Sequence, residues 1–166
     1  EGGLPHAIGA GCFILEIQEP TDITIRTERT TPNGYNIQDN LIHQGIGFDK
    51  MFDCFNYIGT TEEELDRWML KPKETSNPSI KSLINYNDTK CFSLEQIDIE
   101  GEIKLPISNS FSILLVMDGD GFISCNESNS SLKKGDQVVI PYGKSVEIKS
   151  KDRPLQIMRC YPPKSS

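Results

Sequence analysis

Between Lys134 and Lys144 the chain reads Lys-Gly-Asp-Gln-Val-Val-Ile-Pro-Tyr-Gly-Lys, and this stretch limits the fold more than any other. Gly135 and Asp136 turn the backbone into a short β-branched strand. Pro141 ends that strand because it has no N–H to give a ladder, and Gly143 reverses the chain. The same punctuation recurs at Asp118-Gly119-Asp120-Gly121. From Cys91 onward the pattern is all strand. Strands are expected near 90–99, 111–117, 120–125, 137–141, 145–149 and 154–160. Many short strands with regular turns describe a sandwich or a small barrel.

The first half is mixed. Residues 12–18 (CFILEIQ) interleave apolar and polar side chains, Glu19-Pro20-Thr21-Asp22 is a turn signal, and 23–28 alternate strictly. Two strands joined by a tight corner are expected there. Thr30 to Gly34 reads as a loop. Between 48 and 70 the period becomes helical, with Phe48, Met51, Phe52 and Phe55 on one face. Thr60-Thr61-Glu62-Glu63 resembles a capping box ahead of Leu65, Trp68 and Met69, so two short helices are expected. Lys71 to Pro78 is a polar, proline-bounded linker.

The 166 residues carry a formal net charge of −7, which disfavours nucleic acid and anionic membranes as partners. No apolar run is long enough to span a bilayer, and no basic stretch followed by an apolar block opens the chain. The five cysteines are odd in number and widely spaced, with no CxxC. They read as reduced thiols, mostly in the core, of a cytoplasmic protein.

The Gly135–Gly143 pattern of glycine, five residues, proline, one residue, glycine resembles the second motif of the cupins. In metal-binding cupins a histidine follows that last glycine, where this chain has Val146, and no histidine lies near Gly119 or Gly121. The resemblance implies a cupin barrel without its metal site. The first residues carry the end of the same motif with its histidine kept, as Gly3-Leu4-Pro5-His6. Together with Ala7, Gly9, Gly11, Glu16, Asp22 and Arg26, this stretch resembles the type I mannose-6-phosphate isomerases (phosphomannose isomerases). The implied fold is mainly β. It is a cupin double-stranded β-helix (jelly-roll) barrel with a short helical insert, plus an incomplete N-terminal cupin portion. Residues 1–30 would end a truncated first barrel and 31–80 form a loop and helical segment. Residues 81–166 would form a second, metal-less barrel.

That resemblance implies an aldose–ketose isomerase interconverting mannose 6-phosphate and fructose 6-phosphate through an enediol. In the family a glutamine, two histidines and a glutamate hold zinc, and His6 corresponds to the last histidine. Arg26 matches the catalytic arginine, suited to stabilising developing negative charge. Glu16 matches an acidic position suited to proton transfer. The other ligands would come from an upstream segment or a companion chain. Zinc needs three or four protein donors, so this chain alone is expected to be inactive and to hold the metal weakly or not at all. A piece of barrel with exposed strand edges is also expected to pair as a homodimer. The competing reading is a non-catalytic cupin module that binds carbohydrate or serves as an interaction domain. A cupin oxygenase would need a histidine pair and a carboxylate around one iron, which the sequence lacks.

Overall fold

The computed structural model describes residues 3–18, 24–126 and 128–164, in two compact units, Glu1–Thr61 and Glu62–Ser166. The expected corner at Glu19–Asp22, and Ile23 after it, lie outside the described residues.

In the first unit, α1 (Asp39–Ile42) and α2 (Phe48–Asp53) bury Ile42 and Met51. The His43 imidazole holds the loop between them. Its Nδ1 accepts the backbone N–H groups of Gly45 at 3.1 Å and Gly47 at 3.2 Å, and its ring meets Phe48 edge-on. His43 is therefore a structural residue. The strands expected at 12–18 and 23–28 are not formed among the described residues. A strand exists by pairing with a neighbour, and alternation alone supplies none. Phe13 and Ile14 stay exposed, and the Arg26 N–H goes to the Ile42 carbonyl at 3.1 Å rather than into a ladder.

The second unit opens with α3 (Glu62–Trp68) and continues entirely in strands: β1 (Lys73–Glu74), β2 (Ile80–Ile84), β3 (Ser93–Ile99), β4 (Glu102–Leu105), β5 (Ser112–Asp118), β6 (Asp120–Cys125), β7 (Ser128–Lys133), β8 (Gln137–Ile140), β9 (Val146–Ser150) and β10 (Leu155–Tyr161). They form two antiparallel sheets in the orders β1-β2-β3-β10-β5-β8 and β4-β9-β6-β7. Strands β3 to β10 thus make a jelly roll of two four-stranded sheets, and β1 and β2 extend one sheet past β3.

Period-2 alternation builds its core. Leu114 and Val116 on β5, Ile148 on β9 and Leu155 and Ile157 on β10 point inward, joined by Ile97 and Ile99 of β3. Each such side chain gains about 1.5–3 kcal/mol by leaving water. The proline–glycine motif does what its chemistry requires. Gly135 has φ +89°, and Asp136 folds back so that its carboxylate accepts the Lys133 N–H at 2.9 Å. Strand β8 stops at Ile140, directly before Pro141. Val146, at the position where metal-binding cupins keep a histidine, is 4 % exposed within the apolar core.

Four strands, β1, β2, β4 and β7, form where the sequence pattern predicts none. Strand β7 (SNSSLK) buries only Leu132 and is held by its ladder to β6. Strand β1 falls inside the polar linker, pinned to β2 and by Lys73, whose Nζ is 2.8 Å from an Asp88 carboxylate oxygen. The Lys73 hydrogen bond, helped by the Asn85 N–H, holds the Asp88 carboxyl below the usual carboxylate range. Its contribution to stability is therefore present above the ordinary carboxylate pKa and is lost as pH falls through the lowered one. In Lys73→Met the Asp88 titration, followed by NMR, is expected to move up toward the ordinary value; an unmoved titration would contradict the pairing.

The cysteines are less buried than expected. Cys12, Cys54 and Cys91 are exposed, Cys125 and Cys160 half-buried, and no two are joined. The sequence placed them mostly in the core; only the two strand residues approach it. No helix among the described residues is long and apolar enough to cross a membrane.

Candidate functional site

His6, Glu16 and Arg26 are each exposed, and Asp22 lies outside the described residues. The segment carrying His6 is anchored at Gly3, whose carbonyl accepts the Asn56 N–H at 2.8 Å. His6 Nδ1 lies 3.2 Å from the Leu4 carbonyl oxygen. That contact favours the tautomer with the proton on Nδ1, which leaves the Nε2 lone pair outward. Glu16 projects between half-buried Leu15 and Ile17. Arg26 reaches Glu28 at 4.0 Å. No hydrogen bond or ion pair joins any two of His6, Glu16 and Arg26 among the described residues. Arg29, another cation of this unit, is engaged by Asp39 at 3.3 Å and by the face of Phe48 at 4.9 Å.

Among the described residues no three histidine, cysteine, aspartate or glutamate side chains come together in a way that could hold a metal ion. His6 is a single donor on an exposed segment, so the donor set present does not fit zinc.

A second polar cluster lies inside the jelly roll, and the sequence reading missed it. On β10 the inward series Leu155, Ile157 continues to Arg159, which is 1 % exposed. Its Nε donates to the Ser112 hydroxyl at 3.0 Å, and its two terminal nitrogens share the Pro106 carbonyl at 3.4 Å. The guanidinium also sits 4.8 Å from the centre of the Tyr161 ring, a cation–π contact. No carboxylate lies within ion-pair distance of it among the described residues. The Tyr161 hydroxyl donates to Glu95 Oε2 at 2.9 Å. Burial, and then the Glu95 charge, push the Tyr161 phenol well above its ordinary range, which keeps it a donor. Tyr86 is pushed up in the same way and donates to the Pro162 carbonyl at 2.7 Å. The visible signal for this cluster was an arginine at an inward position of an otherwise apolar alternation, LQIMRCY.

Two cavities flank Glu95. One, of 580 Å³, has Thr75, Lys104 and Pro106 in its wall. The other, of 370 Å³, is lined by Tyr86, Asn109 and Tyr161 among others.

The eight-stranded jelly roll, its glycine–proline turns and its closed apolar interior make the second unit a cupin barrel. Residues 82–159, just under half of the chain, match the family model described as "Mannose-6-phosphate isomerase, cupin domain". Two curated relatives match more of the chain. The "Putative mannose-6-phosphate isomerase YvyI" of Bacillus subtilis is 27 % identical over 143 residues, and the "Mannose-6-phosphate isomerase" of Streptococcus mutans is 25 % identical over 140. Each match covers 84 % of this chain and 40 % of the relative, so the chain spans well under half the length of these proteins. Among solved structures, a cupin-2 domain containing protein from Shewanella frigidimarina is 22 % identical. That match covers 70 % of this chain and 93 % of that one, with a TM-score of 0.41.

Proposed function

We propose that this chain is the C-terminal part of a sugar-phosphate aldose–ketose isomerase acting on mannose 6-phosphate and fructose 6-phosphate. The observation that carries the reading is the match of 82–159 to the cupin domain of that isomerase family, together with relatives of that name that align across most of the chain. In this reading the second barrel is scaffold, because Val146 fills the position where a metal-ligating histidine would stand. The chemistry falls to the N-terminal segment. A proton leaves C2 of the open-chain aldose and returns to C1, and negative charge develops on the adjoining oxygens. Arg26 is exposed and permanently charged, and stabilises that charge. Glu16, an exposed carboxylate, carries the proton or orients the group that does. Among the described residues the donors do not complete a zinc site, so in this reading the isomerase activity belongs to a longer protein or to an assembly with a companion chain.

The test is conversion of mannose 6-phosphate to fructose 6-phosphate, followed by NMR. It is run with the full gene product containing these residues and with the 166-residue chain alone. Turnover by the full product and none by the chain alone is expected. A full product that leaves both sugar phosphates unchanged would overturn the reading.

A further inference from the structure

We propose that the mouth of the C-terminal barrel is a second, non-catalytic binding site for a neutral hexose, centred on Glu95. The cavity of 370 Å³ lies at the lower end of the ~300–1,000 Å³ range of small-ligand pockets. Its wall sets a carboxylate beside amide, hydroxyl, ammonium and aromatic groups: Glu95, Asn109, Ser110 and Lys164 with Tyr86 and Tyr161. A sugar needs that mixture, because each of its hydroxyls both donates and accepts, while its C–H face lies against apolar or aromatic surface.

The groups are also available and held in place. Glu95 uses Oε2 for the Tyr161 hydroxyl, and its Oε1 takes no hydrogen bond among the described residues. The Asn109 amide and the Lys164 ammonium make no hydrogen bond or ion pair among the described residues. Tyr161 is clamped between Glu95 and the buried Arg159, so the carboxylate keeps its orientation before any ligand arrives. The Tyr86 hydroxyl ties down the Pro162 carbonyl, two residues before Lys164, and so fixes the segment that borders the cavity. A neutral ligand is favoured over a phosphorylated one. The Arg159 guanidinium is turned onto Ser112, Pro106 and the Tyr161 ring, and the Glu95 carboxylate offsets the single Lys164 ammonium in the wall, leaving it no net positive charge to hold a phosphate. The site lies within the barrel itself and stands whether or not the isomerase reading holds.

The test is a titration of the ¹⁵N-labelled 166-residue chain with D-mannose, D-glucose and D-fructose, with mannose 6-phosphate as the anionic comparison. Saturable shifts confined to the amides of Glu95, Asn109, Ser110 and Tyr161 are expected for at least one free hexose, with a Kd of about 1 mM. Glu95→Gln keeps the shape and is expected to weaken binding about tenfold, as is Tyr161→Phe; retained dispersion of the spectrum shows that each variant is folded. The proposal is overturned if no hexose gives saturable shifts, if the shifts lie elsewhere, if Glu95→Gln binds as well as the parent, or if mannose 6-phosphate binds more tightly than every free hexose.

Discussion

Gly119→Ala is expected to destabilise the C-terminal unit by about 2–5 kcal/mol, as the sum of a backbone and a packing cost. Gly119 sits between β5 and β6 with φ +86°, a conformation that costs an L-residue about 1–2 kcal/mol. A Cβ there would also overlap the Pro154 carbonyl oxygen and come within 2.8 Å of the Leu155 Cα. Those neighbours are backbone at the start of β10, the strand that packs between β3 and β5, so they cannot yield without moving the core. Gly135→Ala is the internal comparison. It has the same hand of backbone, φ +89°, but nothing within 4 Å of the added carbon. It is expected to cost only the backbone component, about 1–2 kcal/mol. Urea denaturation of the two variants measures the difference; equal losses would contradict the packing assigned to the Gly119 turn.

The second large effect concerns Arg159. Arg159→Ala removes a buried side chain and leaves the Ser112 hydroxyl and the Pro106 carbonyl facing a void. The expected loss is about 2–4 kcal/mol, from the cavity and the unmade hydrogen bonds together. Arg159→Met, of similar length, refills the space and removes a charge that no carboxylate neutralises among the described residues. Methionine avoids the cavity but leaves the same hydroxyl and carbonyl without a donor, so this variant is expected to lose less than the alanine one, about 1–2 kcal/mol. Thermal and urea melts of both variants are the measurement. A methionine variant as unstable as the alanine one would mean that the guanidinium itself holds the barrel mouth together.

The barrel was legible where alternation and turn chemistry coincide. Gly135, Pro141 and Gly143 bracket β8 as their dihedral limits require, and the alternation at 112–118 and 155–161 marks which side chains face inward. Strand β7 was not legible. A polar edge strand is fixed by its partner's ladder, which leaves no mark on its own composition. Residues 12–28 show the opposite failure, with alternation present and no partner among the described residues to convert it into a strand. Of the candidate site, His6, Glu16 and Arg26 could be picked out by resemblance, but not how they would meet. Each lies on an exposed segment, and no hydrogen bond or ion pair joins any two of them among the described residues. The Arg159–Tyr161–Glu95 cluster escaped notice because a single charge in an apolar alternation looks like an outward residue until the register of β10 against β3 and β5 puts it inside.

The central claim is that the N-terminal segment of this chain serves sugar-phosphate isomerisation while the barrel supports it. The most direct measurement is the rate of mannose 6-phosphate conversion by the full gene product and by its Arg26→Gln variant, with thermal melts of both. The exposed Arg26 side chain makes only a long ion pair with Glu28 among the described residues, so the substitution is expected to leave the melt unchanged. Loss of a group that stabilises transition-state charge is expected to lower kcat by about 10²-fold or more. An Arg26→Gln protein that folds as the parent does and turns over at the parent's rate would contradict the account.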